Sequence, residues 1–282
     1  MLLQARALCL VWLALAAAAP ANAACEDGIV DGRIARIEVD RIVLEEGEVL
    51  RLADIRPADE TATARRLAPL RGARVSGTKA GTEDRWGRRA ARLVLTEGGT
   101  DLAQSLVAEG LAIVDPGEQD GLCRRGLLAV EDDARRRRVG MWESEIPLPA
   151  ADPAVIASSV GRFALVEGRI VSVGERTRWT YLNFGRDFAR DFAVSIPRRR
   201  WDEMKRRGLS AAALRGRRVR VRGIVEMRRA PGMEIATADV IEQLEDDAPD
   251  TGRKAGRGAR PGGARGDDQG AGGSAPAGGG TR

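Results

Sequence analysis

A proline-rich stretch at residues 146–153 constrains the fold most, because it separates two segments that each carry a β-strand pattern. Proline has no backbone N–H and a fixed φ, so three prolines within eight residues interrupt both helix and sheet. We therefore expect residues 146–157 to form a linker between two domains, residues 24–145 and residues 158–245. The fold class that this division predicts is mainly β with some α-helix.

The first segment alternates short β-patterned runs with helical ones. Strands are predicted at residues 28–38, 41–44, 48–55, 73–78 and 90–95, with a short strand at 111–114, and helices at 59–70, 100–109 and 120–138. Five short strands with helices between them predict an OB-type five-stranded barrel with flanking helices.

The second segment shows its own strand pattern and predicts a second, smaller OB-like β-barrel domain. Arg218, Arg220 and Arg222 alternate with valines, so we expect the valines to face the core and the arginines to form an outer stripe. Trp179 and Tyr181 share a strand face, on which nucleic-acid bases can stack. The alternatives are a solvated arginine face and core aromatics, and the sequence leaves both open.

Both ends of the chain differ from these two segments. Arg6, an apolar stretch and Ala21-Asn22-Ala23 predict a secretory signal peptide at residues 1–23, with a periplasmic or secreted mature protein. Lipoprotein processing at Cys25 is the alternative. Residues 246–282 are dominated by Gly, Ala, Arg and Pro, which predicts a disordered tail. No later segment is apolar enough to predict a membrane span.

Composition excludes several kinds of catalytic site. The 282 residues include no histidine, and the three cysteines form no CxxC pair, which excludes His-based catalysis and structural zinc. Of the two cysteines in the mature chain, Cys25 and Cys123, we expect a disulfide because exported proteins meet oxidising conditions. The alternative is two free thiols.

The net charge of +5 is unevenly distributed. Residues 24–157 carry 20 Lys and Arg against 25 Asp and Glu, whereas residues 158–245 carry 19 against 11. The excess of positive charge in the second segment favours nucleic acid or another polyanion as the partner.

Three stretches of the first segment carry a resemblance to a known family. They are the run from Arg51 through Asp59 ("RLADIRPAD"), the run Asp84-Arg-Trp-Gly-Arg88, and the run "LVAEGLAIV" followed by Gly140-Met-Trp142. In order and spacing these residues resemble the thermonuclease, or staphylococcal-nuclease-like, family over about residues 28–144.

The resemblance implies a phosphodiester-cleaving site that works on carboxylates, arginines and calcium. Arg51 and Arg88 stand where the two phosphate-binding arginines are expected. Asp59 stands in the slot of the catalytic glutamate, one methylene shorter, and Glu60 is adjacent.

The implied calcium site departs from the family pattern. The two slots for metal-binding aspartates hold Arg41 and Arg56, and guanidinium groups repel a divalent cation. Asp54 is two residues from Arg56, which predicts that both lie on one strand face. Asp40 is the neighbour of Arg41 and should point to the opposite face unless a bulge intervenes. Asp40 and Asp54 are therefore the candidate substitute ligands.

Two functions follow from this reading. One is an exported nuclease-like protein that binds nucleic acid, or hydrolyses its phosphodiesters with Ca²⁺ if it is active, through a degenerate calcium site. The alternative is a non-catalytic polyanion-binding or scaffold protein of the cell envelope. Calcium is the cofactor expected in the active case, and none is expected otherwise.

Overall fold

The computed structural model describes residue 25 and residues 28–38, 41–117, 119 and 121–245, which all belong to one compact unit. The predicted signal peptide, the predicted tail and Asp40 lie outside the described residues. Among the described residues, no helix combines the length and the apolar character that crossing a membrane requires.

The first part of the unit contains seven strands and three helices. They are β1 (Ile29–Glu38), β2 (Arg41–Leu44), β3 (Val49–Leu52), β4 (Ile55–Pro57), α1 (Glu60–Leu67), β5 (Arg74–Ala80), β6 (Arg89–Leu95), α2 (Leu102–Ala108), β7 (Ala112–Val114) and α3 (Leu127–Arg136). Five of the strands pair in the order β1-β2-β3-β6-β5, and β5 returns to β1 to close a barrel. The short strands β4 and β7 form a separate ladder beside it.

Apolar side chains from the strands and from α2 fill this barrel. Ile34, Leu50, Val75 and Leu93 point inward and are fully buried against Leu106 of α2. One close approach requires glycine, since a Cβ on Gly77 would lie 1.7 Å from the carbonyl oxygen of Arg92 on β6. Burial on alternate positions of β1 fits the period of two that the sequence shows.

The structure corrects two boundaries of the first part. The predicted strand 48–55 breaks into β3 and β4 at Asp54, whose φ of 65° is left-handed and incompatible with a continuous strand. The predicted helix 120–138 begins only at Leu127, because the backbone N–H groups of Cys123 and Arg124 donate to the Asp54 carboxylate.

The second part of the unit contains eight strands and three helices. They are β8 (Leu148–Pro149), α4 (Pro153–Ala157), β9 (Phe163–Arg169), β10 (Ser172–Glu175), β11 (Trp179–Asn183), β12 (Ala193–Pro197), α5 (Arg198–Arg206), α6 (Ala211–Leu214), β13 (Arg218–Met227), β14 (Pro231–Glu234) and β15 (Ile241–Gln243). The strands pair in the order β10-β11-β12-β14-β13-β9-β8, with β15 also on β13.

For this second part we predicted an OB-like β-barrel, and the structure shows one eight-stranded sheet. Within the described residues its ladder runs from β10 at one edge to β8 at the other, and no pairing joins those two edges. The long strand β13 pairs with β9 and β15 along its first half and with β14 along its second half, so it connects the two ends of the sheet. Phe192, Ile196, Trp201 and Val221 pack in its hydrophobic core.

Residues 146–157 are part of this second fold, which corrects their prediction as a linker. β8 pairs with β9, and Asp152 caps α4 by accepting a hydrogen bond from the backbone N–H of Val155. Proline is favourable at the first position of a helix, where its missing N–H costs nothing, so Pro153 begins α4 instead of preventing it. Ala150 and Ile156 are buried in the second core.

The broad fold class, mainly β with helices, is confirmed.

Candidate phosphate-binding site

A cavity of about 380 Å³ lies beside α1 at the edge of the first barrel. Its floor is apolar, and its walls carry four arginines and three acids: Arg41, Arg51, Arg56, Arg88, Glu60, Asp84 and Asp115. Strands β2, β3 and β4 supply the first three arginines, which brings residues that are distant in sequence to one opening. A cavity with four guanidinium groups and three carboxylates suits an anion better than a cation.

Arg88 is held toward the cavity by the loop that contains it. Its Nε donates to Asp84 Oδ2 at 2.8 Å, and the backbone N–H groups of Trp86 and Arg88 both donate to Asp84 Oδ1. Gly87 has a φ of 69°, which this tight turn requires. The Arg88 guanidinium also lies 4.8 Å from the centre of the Trp86 ring, which is 55% exposed at the rim.

Arg56 is fixed by contacts from both parts of the molecule. Its Nε donates to Asp115 Oδ2 at 2.8 Å, while Asp115 Oδ1 accepts from the backbone N–H of Gly117. The Phe163 ring of β9 lies 5.1 Å from the Arg56 guanidinium, within the range of a cation–π contact. Arg56 therefore contributes to the contact between the first barrel and the second sheet.

Arg51 is placed differently from Arg56 and Arg88. It lies on β3, paired with Ala90 of β6, and its guanidinium reaches the loop at Gly117. Within the described part of the chain it forms no salt bridge, whereas Arg56 and Arg88 each have an aspartate partner. Its charge is therefore available to an anionic ligand.

Asp59 occupies a structural position, and its neighbour Glu60 lines the cavity instead. Asp59 is the N-cap of α1, where its Oδ1 accepts a hydrogen bond of 2.8 Å from the backbone N–H of Ala62. Such caps stabilise helices by about 1 kcal/mol. Glu60 is the first residue of α1, and it lines the same cavity as the four arginines.

Asp54 does not lie on the same face as Arg56, contrary to our prediction. The turn at Asp54 directs its carboxylate into the protein, where it is 1% exposed and accepts hydrogen bonds from Cys123 N and Arg124 N at 2.9 and 2.8 Å. Burial raises the pKa of Asp54, although these hydrogen bonds and the Arg124 charge act in the opposite direction. Asp54 is thus absent from the cavity walls, and Asp40 lies outside the described residues.

The side chains of this cavity do not fit a calcium ion. In the described part of the chain, no three His, Cys, Asp or Glu residues come together in a way that suits a metal. Asp84 and Asp115 are each occupied by a guanidinium group, and Arg41 and Arg56 contribute positive charge to the same walls. Calcium requires several oxygen ligands around one point, which this arrangement does not offer.

The arginines of β13 are not an outer stripe, which corrects our prediction for Arg220 and Arg222. Val219 and Val221 are buried in the second core as expected, but the opposite face of β13 packs against α3. Arg222 donates to Glu131 Oε1 and Oε2 at 2.9 and 3.0 Å and to the carbonyl oxygen of Val114 at 2.8 Å.

Further carboxylates complete this buried cluster. Glu242 accepts from Arg222, Glu167 accepts from Arg220 Nε at 2.7 Å, and Arg218 also contacts Glu167 at 3.3 Å. Burial lowers the pKa of Arg222, but Glu131 and Glu242 outweigh it and raise the pKa, so the group stays charged. The alternation of Arg and Val along β13 cannot show that the arginine face is buried, because Glu131, the partner of Arg222, is distant in sequence.

The predicted aromatic pair is divided between two environments. Trp179 and Tyr181 lie on the same face of β11, but the guanidinium of Arg228 covers the Trp179 ring at 5.4 Å. Tyr181 lines a different cavity, on the second sheet. The cation beside Trp179 is therefore Arg228, which follows β13.

The predicted disulfide between Cys25 and Cys123 is present, with 5.4 Å between the two Cα atoms. It attaches the start of the described chain to the loop before α3. The same loop is held by Asp239, whose Oδ2 accepts from the backbone N–H of Leu122 at 3.0 Å.

The closed barrel, its flanking helices and the arginine-lined cavity are the features to compare with known proteins. Residues 60–144 match the family model described as staphylococcal nuclease homologue, so this part of the chain is similar to that family. The match includes the loop of Arg88 and begins C-terminal to Arg51, Arg56 and Asp59. No curated protein matches the chain.

Proposed function

We propose that this protein binds nucleic acid by holding a phosphate in the arginine-lined cavity, and that it does so without calcium. The observation that carries the proposal is the pair Arg51 and Arg88, which line one cavity while the expected metal ligands are replaced by Arg41 and Arg56. Guanidinium groups bind phosphate oxygens through paired N–H donors, and they need no metal to do so.

The ion pairs of the cavity determine which arginines contact the ligand. Arg56 is engaged with Asp115 and Phe163, so its contribution is mainly structural. Arg51 supplies charge directly, and Arg88 presents its guanidinium beside Trp86. We propose Arg51 and Arg88 as the phosphate-binding residues, with Trp86 at the rim.

Phosphodiester hydrolysis is a second candidate, because Glu60 lines the same cavity as the arginines. A carboxylate in that position is able to act as a general base for an attacking water, with the arginines binding the phosphate. Degradation of plasmid DNA by wild type, with Glu60→Gln as the comparison, distinguishes this candidate from binding alone.

A binding measurement tests the main proposal. Wild type should bind a fluorescent oligonucleotide equally well in Ca²⁺ and in a chelator, and Arg51→Gln should lower the affinity about tenfold through loss of one charge-assisted contact. Arg65→Gln is the matched control, because Arg65 lies on the exposed side of α1 outside the cavity. Equal binding by Arg51→Gln and Arg65→Gln would contradict the proposal.

A cleavage measurement tests the calcium part. We expect no Ca²⁺-stimulated degradation of plasmid by wild type, with Arg88→Ala as the control for a contaminating nuclease. Arg41→Asp with Arg56→Asp should increase calcium binding, since two repulsive charges at about 4 Å each cost several kcal/mol at an effective dielectric near 20. Robust wild-type cleavage that requires Ca²⁺ and disappears in Arg88→Ala would show that calcium binds after all.

We also propose that the protein is exported, as residues 1–23 predict, and that it acts in the periplasm or outside the cell. The Cys25–Cys123 disulfide supports an oxidising compartment. The intact mass of the purified mature chain, before and after reduction, tests both ideas. We expect the mass of a chain that begins at Ala24, and we expect this mass to increase when the disulfide is reduced and both thiols are alkylated. An acylated Cys25 would instead indicate lipoprotein processing.

A further inference from the structure

A second cavity, of about 520 Å³, lies on the face of the second sheet. Its floor is formed by β10, β11, β12 and β14, and its walls are the loop before β12 and the turn between β13 and β14. We call this cavity the sheet groove. No residue of the nuclease-like cavity lines it.

Tyr181 lies on the floor, and its partners on the two neighbouring strands are small. On β10 its register partner is Gly174, and on β12 it is Ser195. The next positions on this face are Ala193 and its partner Gly232. Because these neighbours have little or no side chain, one face of the tyrosine ring is left open to the groove.

A loop with internal hydrogen bonds holds a second aromatic side chain at the wall. The Asp191 carboxylate accepts from the backbone N–H of Asp187 at 2.8 Å, and the Asp187 carboxylate accepts from Ala189 N at 3.0 Å. A Cβ on Gly185 would lie 1.9 Å from Asp191 Oδ2, so this loop is tightly packed. It presents Phe188, which is 69% exposed although it lines the groove.

Three arginines line the groove, and they are not equivalent. Arg228 is paired with Glu226 and Glu234 and covers Trp179. Arg176 and Arg229 are exposed and form no ion pair with any residue that the structure describes. The groove thus combines the rings of Tyr181 and Phe188 with two guanidinium groups that have no carboxylate partner among the described residues.

We propose that the sheet groove binds single-stranded nucleic acid, with bases stacked on Tyr181 and Phe188 and phosphates bound by Arg176 and Arg229. Aromatic rings next to cationic side chains are the combination that binds unpaired bases and their backbone. The polar groups of the floor already donate within the sheet, from Asn183 Nδ2 to Ser172 and from Ser195 Oγ to Met233 O. Binding should therefore depend little on base identity.

This inference extends the proposed nucleic-acid binding to a second site, and its test must separate the two sites. Gly174→Gln is the sharpest variant. A Cβ there meets only Asn183 Nδ2, at 4.0 Å, and the φ of Gly174 is outside the left-handed region, so the side chain fits the fold but fills the groove. Gly126→Gln is the matched control, since a Cβ at Gly126 meets nothing within 4 Å and lies outside both cavities.

The measurement is fluorescence anisotropy of the full mature chain with labelled oligothymidylate of about twelve nucleotides, in chelator. Gly174→Gln and Tyr181→Ala should each weaken binding about tenfold or more, whereas Gly126→Gln should leave it unchanged. Arg176→Gln with Arg229→Gln should reduce the slope of log affinity against log salt by about 1.4. Oligoadenylate and duplex of equal length complete the series, and duplex should bind more weakly.

Each outcome is decisive for one site. If Arg51→Gln weakens binding and the sheet-groove variants do not, the groove proposal is overturned and the nuclease-like cavity stands. If the groove variants weaken binding and Arg51→Gln does not, the groove stands and the proposed function of the cavity fails. Two further results would overturn the proposal. One is a wild type that binds duplex but no single strand. The other is a Gly174→Gln variant that loses binding to a protein partner but still binds the oligonucleotide.

Discussion

Arginines of this protein form two groups with opposite surroundings, the nuclease-like cavity and the cluster on β13. In the cavity, Arg51 and Arg88 border open space, and Arg51 forms no salt bridge to a described residue. In the cluster, Arg222 is completely buried and its guanidinium is surrounded by Glu131, Glu242 and the carbonyl oxygen of Val114.

The difference shows that positive charge alone does not identify a polyanion site. The second segment carries most of the excess positive charge, yet two of its most regular arginines hold the two parts of the molecule together. The first segment has more acids than bases, yet it contains the arginine-lined cavity. What distinguishes the groups is access to a ligand. The cavity arginines line an opening even where Asp84 or Asp115 pairs with them, whereas Arg222 is completely buried among carboxylates.

The largest effect should come from breaking the buried cluster. Arg222→Ala removes the paired N–H donors of the buried Glu131, which retains the Val114 N–H at 2.6 Å and Arg135 at 3.7 Å. This loss should lower the free energy of unfolding by about 3–5 kcal/mol. Chemical denaturation measures this change. Arg218→Gln is the control, because its contact with Glu167 is partly exposed and should be worth about 0–1 kcal/mol.

The paired replacement sharpens that result. Arg222→Met together with Glu131→Leu removes both charges, so it should cost less than Arg222→Ala alone. An Arg222→Ala variant as stable as Arg218→Gln would mean that the cluster does not stabilise the fold. The two arginine groups would then not differ in structural role.

The disulfide should have the next largest effect. Cys25→Ser, or reduction, releases a cross-link between residues 98 positions apart and should lower the free energy of unfolding by about 2–4 kcal/mol. Denaturation with and without reductant gives this value. Because Cys25–Cys123 contacts neither arginine group, oligonucleotide affinity of the folded protein should not change, and a parallel loss of affinity would contradict this separation.

Asp101 is intermediate in burial between the cavity and the β13 cluster, and its half-buried carboxylate accepts hydrogen bonds from Arg92 and Arg124. Burial acts to raise its pKa, but hydrogen bonds from Arg124 and from the backbone N–H of Gln104 overcome this effect and lower the pKa. A lowered folded-state pKa contributes stability above the ordinary value of 3.8, which is lost as the pH falls below it.

Asp101→Asn should therefore cost about 1 kcal/mol near pH 6, and the difference from wild type should shrink as the pH falls below 3.8. Urea denaturation across this pH range measures both curves. A difference that stays constant down to the lowest pH would show that the Asp101 charge contributes nothing.

The smallest effect should come from converting a paired arginine into an unpaired one. Asp115→Asn removes the carboxylate that neutralises Arg56, so the net positive charge of the cavity increases. Oligonucleotide binding should tighten, and the slope of log affinity against log salt should become steeper by up to about 0.7 for single strands. Anisotropy titrations at several salt concentrations test this, and an unchanged slope would indicate that Phe163 alone keeps Arg56 out of the site.

Local patterns in the sequence predicted much of the fold but only part of the site. The period of two in β1 and the cap at Asp59 are local, so strands and helices were largely placed correctly. Asp54 was misplaced because its left-handed φ reverses the face of the side chain, and alternation assumes an unbroken strand. Asp84 and Glu60 lie within or beside the stretches that resemble the thermonuclease family. Nothing in the local sequence distinguishes an acidic residue that lines the cavity from one on the open surface.

The sequence by itself determined the β-rich fold class, the resemblance of residues 60–144 to the staphylococcal nuclease homologue family, and the disulfide. Fold class and resemblance depend on the type and order of residues, and the disulfide depends on there being few cysteines to pair. The tertiary structure alone decided which charges are available to a ligand. Arg222 and Arg51 are chemically the same residue, and neighbours from distant positions, Glu131 for one and Gly117 for the other, determine their roles. A carboxylate neutralises a guanidinium group only when the two lie a few ångströms apart in space. Which carboxylate comes that close cannot be read from the residues next to each arginine in the sequence.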